Sequence, residues 1–186
     1  MTSPAMDIGL PEKIQFFDHV SHIEIVRTWF GMQTLFLTGF AVIWAGFLFF
    51  WYSAVPEDGE LMFVLFPLIH VGVGVVIAYI ALTGWFNRTH VTVGQGRLAV
   101  RHGPLPWPGN KEIDAHDVKQ LYGKEKISRS RNSTTVTYEL RAVTKSGRNI
   151  KLVGGLESQE QSIFIEQKIE KYLRIEDVAI PGEIDK

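Results

Sequence analysis

Two uninterrupted apolar runs, residues 29–52 and 61–86, constrain this 186-residue chain more than anything else in it, because neither contains Asp, Glu, Lys or Arg. A helix needs about 20 predominantly apolar residues to cross a hydrocarbon core about 30 Å thick. Lipid cannot satisfy open backbone groups, so isolated spans adopt helix. The two runs therefore predict a transmembrane helical hairpin over residues 29–86. Between them, Ser53-Ala54-Val55-Pro56-Glu57-Asp58-Gly59-Glu60 reads as a short polar turn, with Pro and Gly to break helix and three carboxylates unsuited to lipid.

Lys and Arg set the expected orientation. The connecting turn has none, whereas Arg27 flanks the first run and Arg88, Arg97 and Arg101 follow the second, which predicts that both termini face the cytoplasm. Trp29, Phe30, Trp51, Tyr52, Trp85 and Phe86 sit where span ends meet headgroups. A cleaved signal sequence fits poorly, since the first run starts late and exceeds a signal h-region. On helical spacing, Thr34, Thr38, Ala41 and Ala45 share one face of the first span, and Gly74, Ala78 and Ala81 one face of the second. Such small-residue faces let helices approach each other or a partner subunit.

His70 is the sharpest polar feature of the second run. Two readings stand beside each other: a neutral imidazole bonded to a backbone carbonyl released by Pro67, or a functional group of a redox or transport complex. Six-coordinate haem would need a ligand from a partner chain, because the spans hold no second His and no Cys. No cofactor is predicted. Zero Cys also removes disulfides and thiol chemistry from the whole chain.

After Arg88 the texture changes to period-2 alternation. Residues 89–93 and 97–102 predict strands joined by a three-residue turn, Gly94-Gln95-Gly96. Gly103 to Asn110 holds three prolines and predicts a rigid loop. Strands are expected at 111–113 and 118–127, a polar turn at 128–134, and a strand at 135–144, whose Val136, Tyr138, Leu140 and Ala142 oppose Thr137, Glu139, Arg141 and Val143. A last strand covers 149–153, and Gly154-Gly155 ends the sheet. Residues 158–174 turn helical, with Ser158 as N-cap and Ile165, Ile169, Tyr172 and Leu173 as the apolar stripe. The divisions are an N-terminal tail (1–20), a candidate strand (21–28), the hairpin (29–86), a β domain (87–174) and a tail (175–186).

The pattern Asn87-Arg88-Thr89-His90-Val91-Thr92-Val93 before Gly96-Arg97-Leu98-Ala99-Val100-Arg101-His102-Gly103, followed by Glu112-Ile113 and Asp117-Val118-Lys119-Gln120-Leu121, resembles the bacterial membrane-anchored PH-like domain proteins, a two-helix family. The similarity spans roughly residues 20–174; the Pro104–Asn110 insertion departs from it. The resemblance implies an α+β membrane protein, a transmembrane hairpin plus a small PH-like antiparallel β domain closed by a C-terminal helix. It implies the bacterial inner membrane and no common catalytic site.

Candidate binding residues follow from charge. Lys119, Lys124, Lys126, Arg129 and Arg131, against Glu125 and beside Ser128, Ser130, Ser133 and Thr134, read first as a solvated hairpin on the positive-inside face, and also suit an anionic lipid headgroup or a partner. Trp107, between Pro106 and Pro108, suits a partner or membrane-surface contact, and equally a lid over the sheet. His102, His116 and Asp117 match no metal or acid-base spacing, so no catalytic or metal residue is predicted. Nucleic acid is disfavoured for want of interleaved aromatics. The expected function is recruitment or stabilisation of a membrane-protein partner, or of a second copy of the chain, at the bilayer.

Overall fold

The computed structural model describes residues 9–56, 61–131, 133–176, 178 and 184. Residues 57–60 of the predicted polar turn, residues 1–8, Asn132 and most of the 175–186 tail lie outside the described residues. The chain is α+β, with two apolar helices, two antiparallel sheets and a helix after the last strand. It divides into two compact units, one of residues 29–88 and 103–106, the other holding the remainder.

The helical unit consists of α1 (Met32–Ala54) and α2 (Leu61–Phe86), both long and apolar enough to cross a membrane. Gly31 caps α1, its N–H donating to Thr34 Oγ1 at 3.4 Å, so Trp29 and Phe30 precede the helix. Facing residues on α1 are Thr34, Thr38, Ala41, Trp44, Leu48 and Trp51; Ala45, expected on this face, is exposed. The reason is the period: a seam between two helices follows seven-residue spacing (34, 41, 48), which drifts away from position 45 and brings Trp44 inward. On α2 the facing residues include Pro67, His70, Gly74, Ala78, Ala81 and Gly84. Two of them are glycines for a steric reason: a Cβ on Gly84 would lie 2.5 Å from Thr34 Oγ1, and one on Gly74 2.9 Å from Trp44 Cδ1.

Indole donors bind backbone carbonyls across this seam. Pro67 has no N–H to give the Phe63 carbonyl four residues back, and Trp51 Nε1 donates to that oxygen at 3.2 Å. Trp44 Nε1 donates to the His70 carbonyl at 3.0 Å, and Trp85 Nε1 to Thr38 Oγ1 at 2.9 Å. The proline-rich loop is tied down by α2 and the residue after it: Asn87 exchanges two bonds with Leu105 (3.0 and 2.8 Å), and the Tyr79 hydroxyl donates to Pro106 O at 2.6 Å.

In the β domain a five-stranded sheet runs in the order β1 (Ile14–Asp18), β2 (His22–Thr28), β3 (Arg88–Gly94), β4 (Arg97–Gly103), β5 (Lys111–Asp114). A three-stranded sheet follows, β6 (Val118–Arg129), β7 (Thr134–Thr144), β8 (Asn149–Leu156), and then α3 (Gln159–Leu173). Strand β1 corrects the expected tail over residues 1–20. Its apolar residues Ile14, Phe16 and Phe17 do not alternate cleanly, yet Ile14 enters the core and Phe16 meets Phe164 edge-on at 6.2 Å. The β3–β4 turn is two residues rather than three: Gln95 and Gly96 both have positive φ (50° and 74°), the geometry that matches hairpin twist.

Strand β8 does not stop at Gly154-Gly155 but continues to Leu156, with the register to β7 shifting between Leu140 and Tyr138. Gly155, at φ 67°, provides the bend of a bulge there. Ser158 caps α3 as predicted, accepting from Gln161 N at 3.4 Å. The core joins both sheets and α3 through Ile25, Val93, Leu98, Val100, Leu121, Leu140, Leu156, Ile165 and Ile169, each at most 1 % exposed. Full burial of such side chains contributes about 1.5–3 kcal/mol apiece.

Candidate binding surface of the β domain

Strand pleating separates the basic residues that sequence alone groups together. Lys124 and Lys126 share one face of β6, while Glu125, Ile127 and Arg129 share the other. Lys119 stands at the start of the strand beside a register irregularity, and Arg131 lies in the turn beyond it. All five cations are exposed, but they do not converge on one point.

What does converge is a different set. Glu139, on β7 directly opposite Lys124, is 8 % exposed and takes Arg141 at 3.1 Å and both Lys126 and Lys151 at 3.7 Å. Arg141 is held by Asn149 Oδ1 at 2.8 Å, and Asn149 Nδ2 donates to the Tyr122 hydroxyl at 2.6 Å. Lys111, from the other sheet, donates its ammonium to the Lys151 carbonyl. Burial, then repulsion from Lys151 and Arg141, pushes the Lys111 amine below its usual range, with Glu139 opposing. Lys111, Lys124, Lys126, Arg141 and Lys151 thus surround one carboxylate, leaving an excess of positive charge that attracts anions.

Of this set, the sequence pattern points to Lys124 and Lys126 and leaves out Lys111, Arg141 and Lys151. The usable signal was the alternation of β7, which already placed Glu139 and Arg141 on the polar face. Lys111 and Lys151 carry no comparable local signal, because each joins the group through strand closure.

Trp107 is half-buried and is not among the residues of the core cluster, so it neither completes the core nor stands free. His102 and His116 lie toward opposite ends of β4: His102 Nδ1 meets Thr89 Oγ1 at 3.0 Å, whereas the His116 ring lies against Gly96. Asp117 pairs with Arg148 at 3.5 Å. Among the described residues, no three His, Asp or Glu side chains are grouped as a metal would require. The His102 imidazole is held below its usual range, first by burial, then by Lys111 and Arg27. Arg27, the cation flanking the first apolar run, donates to Gly155 O at 2.7 Å; burial lowers its pKa, and Glu157 at 3.6 Å opposes this.

In the helical unit, the His70 ring stacks on Trp44 (centroids 5.8 Å) and lies tilted against Phe66 (5.2 Å). Among the described residues its buried Nδ1 has no hydrogen-bond partner, so the expected bond to the carbonyl released by Pro67 is not made through that nitrogen. Trp51 takes the Phe63 oxygen instead.

No protein-family model matches the sequence, and no curated protein matches it.

Proposed function

We propose that this chain is a non-enzymatic membrane adaptor: α1 and α2 anchor it as a multi-pass protein of a bacterial inner membrane, and a cytoplasmic PH-like β domain recruits or stabilises a membrane-protein partner. The observation that carries the reading is the outward display of large apolar side chains by both helices. Met32, Ile43, Phe49 and Ile69 are 80, 74, 79 and 76 % exposed, in a chain whose β domain buries most of its aliphatic residues. Water does not tolerate a contiguous surface of that kind on a monomer. The two antiparallel sheets followed by α3, and the concentration of Lys and Arg after the second helix, support the PH-like and cytoplasmic parts of the reading.

A second reading, anionic-lipid binding, is favoured by the excess of cations around Glu139. Near an anionic leaflet each Lys or Arg contributes about 1 kcal/mol.

The test is purification of the chain from its native membrane into nanodiscs, with mass spectrometry of bound proteins and lipids. A stoichiometric protein, lost when the β domain is deleted and the hairpin kept, is the expected result. Unchanged partners without the domain would sink the adaptor reading. Enrichment of anionic lipid alone, abolished by Lys126→Gln with Lys151→Gln, would replace it with the second.

A further inference from the structure

Among the described residues β6 is an edge strand, paired in a sheet with β7 alone. Its other side is engaged at two points of equal parity. Leu121 N–H donates to the Glu170 carboxylate of α3 at 3.4 Å, and two residues on, the Gly123 carbonyl accepts from Ile184 N–H at 3.1 Å. Alternation along a strand then aims the groups of Glu125 and Ile127 along the same open side. Both of those residues are exposed.

The Ile184 contact has a shaped seat. A Cβ on Gly123 would lie 2.8 Å from Ile184 Cδ1 and 2.7 Å from Ser162 Oγ, so the isoleucine uses space that only glycine leaves beside α3. Ser162 is fully buried, and among the described residues its hydroxyl has no hydrogen-bond partner. Buried hydroxyls are nearly always bonded, so this one marks a polar position in the seat. Lys124 and Lys126 share the face of β6 opposite Gly123, the face on which the residues flanking a guest's seated aliphatic side chain fall by alternation, and Ile184 has Glu183 and Asp185 as its sequence neighbours. Shape and charge therefore describe the same class of guest.

We propose that the groove between the outer edge of β6 and α3 receives an extended peptide by strand addition, with one branched aliphatic side chain seated over Gly123 and acidic residues beside it. Ile184 occupies this groove in cis. Main-chain bonds supply affinity in this mode and the side-chain seat supplies selectivity. The inference deepens the adaptor reading by naming the chemistry of the recruited segment. Its test uses no membrane partner, so either can fail while the other stands.

The probe is a fluorescein-labelled peptide of residues 177–186, DVAIPGEIDK, titrated by anisotropy into the full chain in detergent micelles. The Ile184→Asp chain, its groove vacated, should bind the peptide; the wild-type chain should bind at least about tenfold more weakly, because a tethered copy competes at high effective concentration. A peptide carrying Ile184→Asp should bind the variant chain at least about tenfold more weakly than the natural sequence. No binding to the variant chain at about 1 mM peptide, or equal binding of both peptides, would overturn the proposal. A wild-type dimer dissolved by the peptide would overturn the cis assignment and transfer the seat to a second copy. Unchanged thermal unfolding of the Ile184→Asp chain confirms that its fold is intact; if that fold is lost, the Gly123→Ala chain, its seat filled, is immobilised instead and should retain the natural peptide no better than the Ile184→Asp peptide, whereas preferential retention of the natural peptide would overturn the proposal.

Discussion

The helical unit and the β domain are inside-out versions of one another. Among the described residues of α1 only Thr34 is buried, and the seam with α2 is made of threonine, glycine, alanine and indole-to-carbonyl bonds. In the β domain Leu98, Val100, Leu121, Leu140, Leu156 and Ile169 are fully buried, and most charged side chains lie outside, with Arg27, Glu139, Glu166 and Glu170 the buried exceptions. The difference teaches which force holds each part. The β domain is driven together by removal of apolar area from water. On the proposed membrane placement, the helices, with their apolar area facing out, rely on close backbone approach and hydrogen bonds, the terms that remain when solvent is as apolar as the side chains.

That contrast can be broken at its strongest point first. Leu140→Ala leaves a cavity in a fully buried site of β7 and should lower β-domain stability by about 2–5 kcal/mol, read by urea denaturation; Ile43→Ala, on the outward face of α1, should leave the same transition in place. A null effect of Leu140→Ala would mean the β domain is not held by its core. Next, Gly84→Ala should drive a methyl into Thr34, 2.5 Å from its Oγ1. A loss of about 1–3 kcal/mol is expected in hairpin unfolding in micelles, and Thr34→Ala should recover most of it in a double-mutant cycle.

Trp51→Phe tests the carbonyl freed by Pro67. It removes the donor to Phe63 O and should cost the hairpin about 1 kcal/mol, without moving the β-domain transition. The smallest effect concerns pH. His102 titrates below its usual range in the folded state, through burial and then Lys111 and Arg27. The unfolded chain therefore binds more protons than the folded one as pH falls below the ordinary histidine value, and stability declines with falling pH until His102 itself protonates. The slope should be well under the one-proton limit of about 1.4 kcal/mol per pH unit, since the ring is half exposed and water screens it. His102→Gln should flatten that part of the profile; an unchanged slope would assign it elsewhere.

Much of the fold was legible locally. The length of α2, the alternation of β7 and the Ser158 cap of α3 are each written in a few adjacent residues, because periodicity and capping depend on near neighbours. The misses share a cause. Strand β1 is only five residues and apolar on both faces, so nothing in Ile14 to Asp18 announces a strand until β2 pairs with it. Ala45 was placed inward by straight-helix spacing, which ignores the partner helix. The basic cluster read along 119–131 was split by the pleat, and its replacement gathers residues from β5, β6, β7 and β8.

By itself the sequence determined that two apolar helices precede a β-rich region ending in a helix, since hydropathy, alternation and caps are short-range properties of the chain. Only the tertiary structure decided that Trp51 answers Phe63, that Lys111 and Lys151 join Lys126 around Glu139, and that Ile184 seats on Gly123. Those contacts join positions 12 to 61 residues apart. They exist only once register and closure bring the strands and helices into place, and no local pattern encodes them.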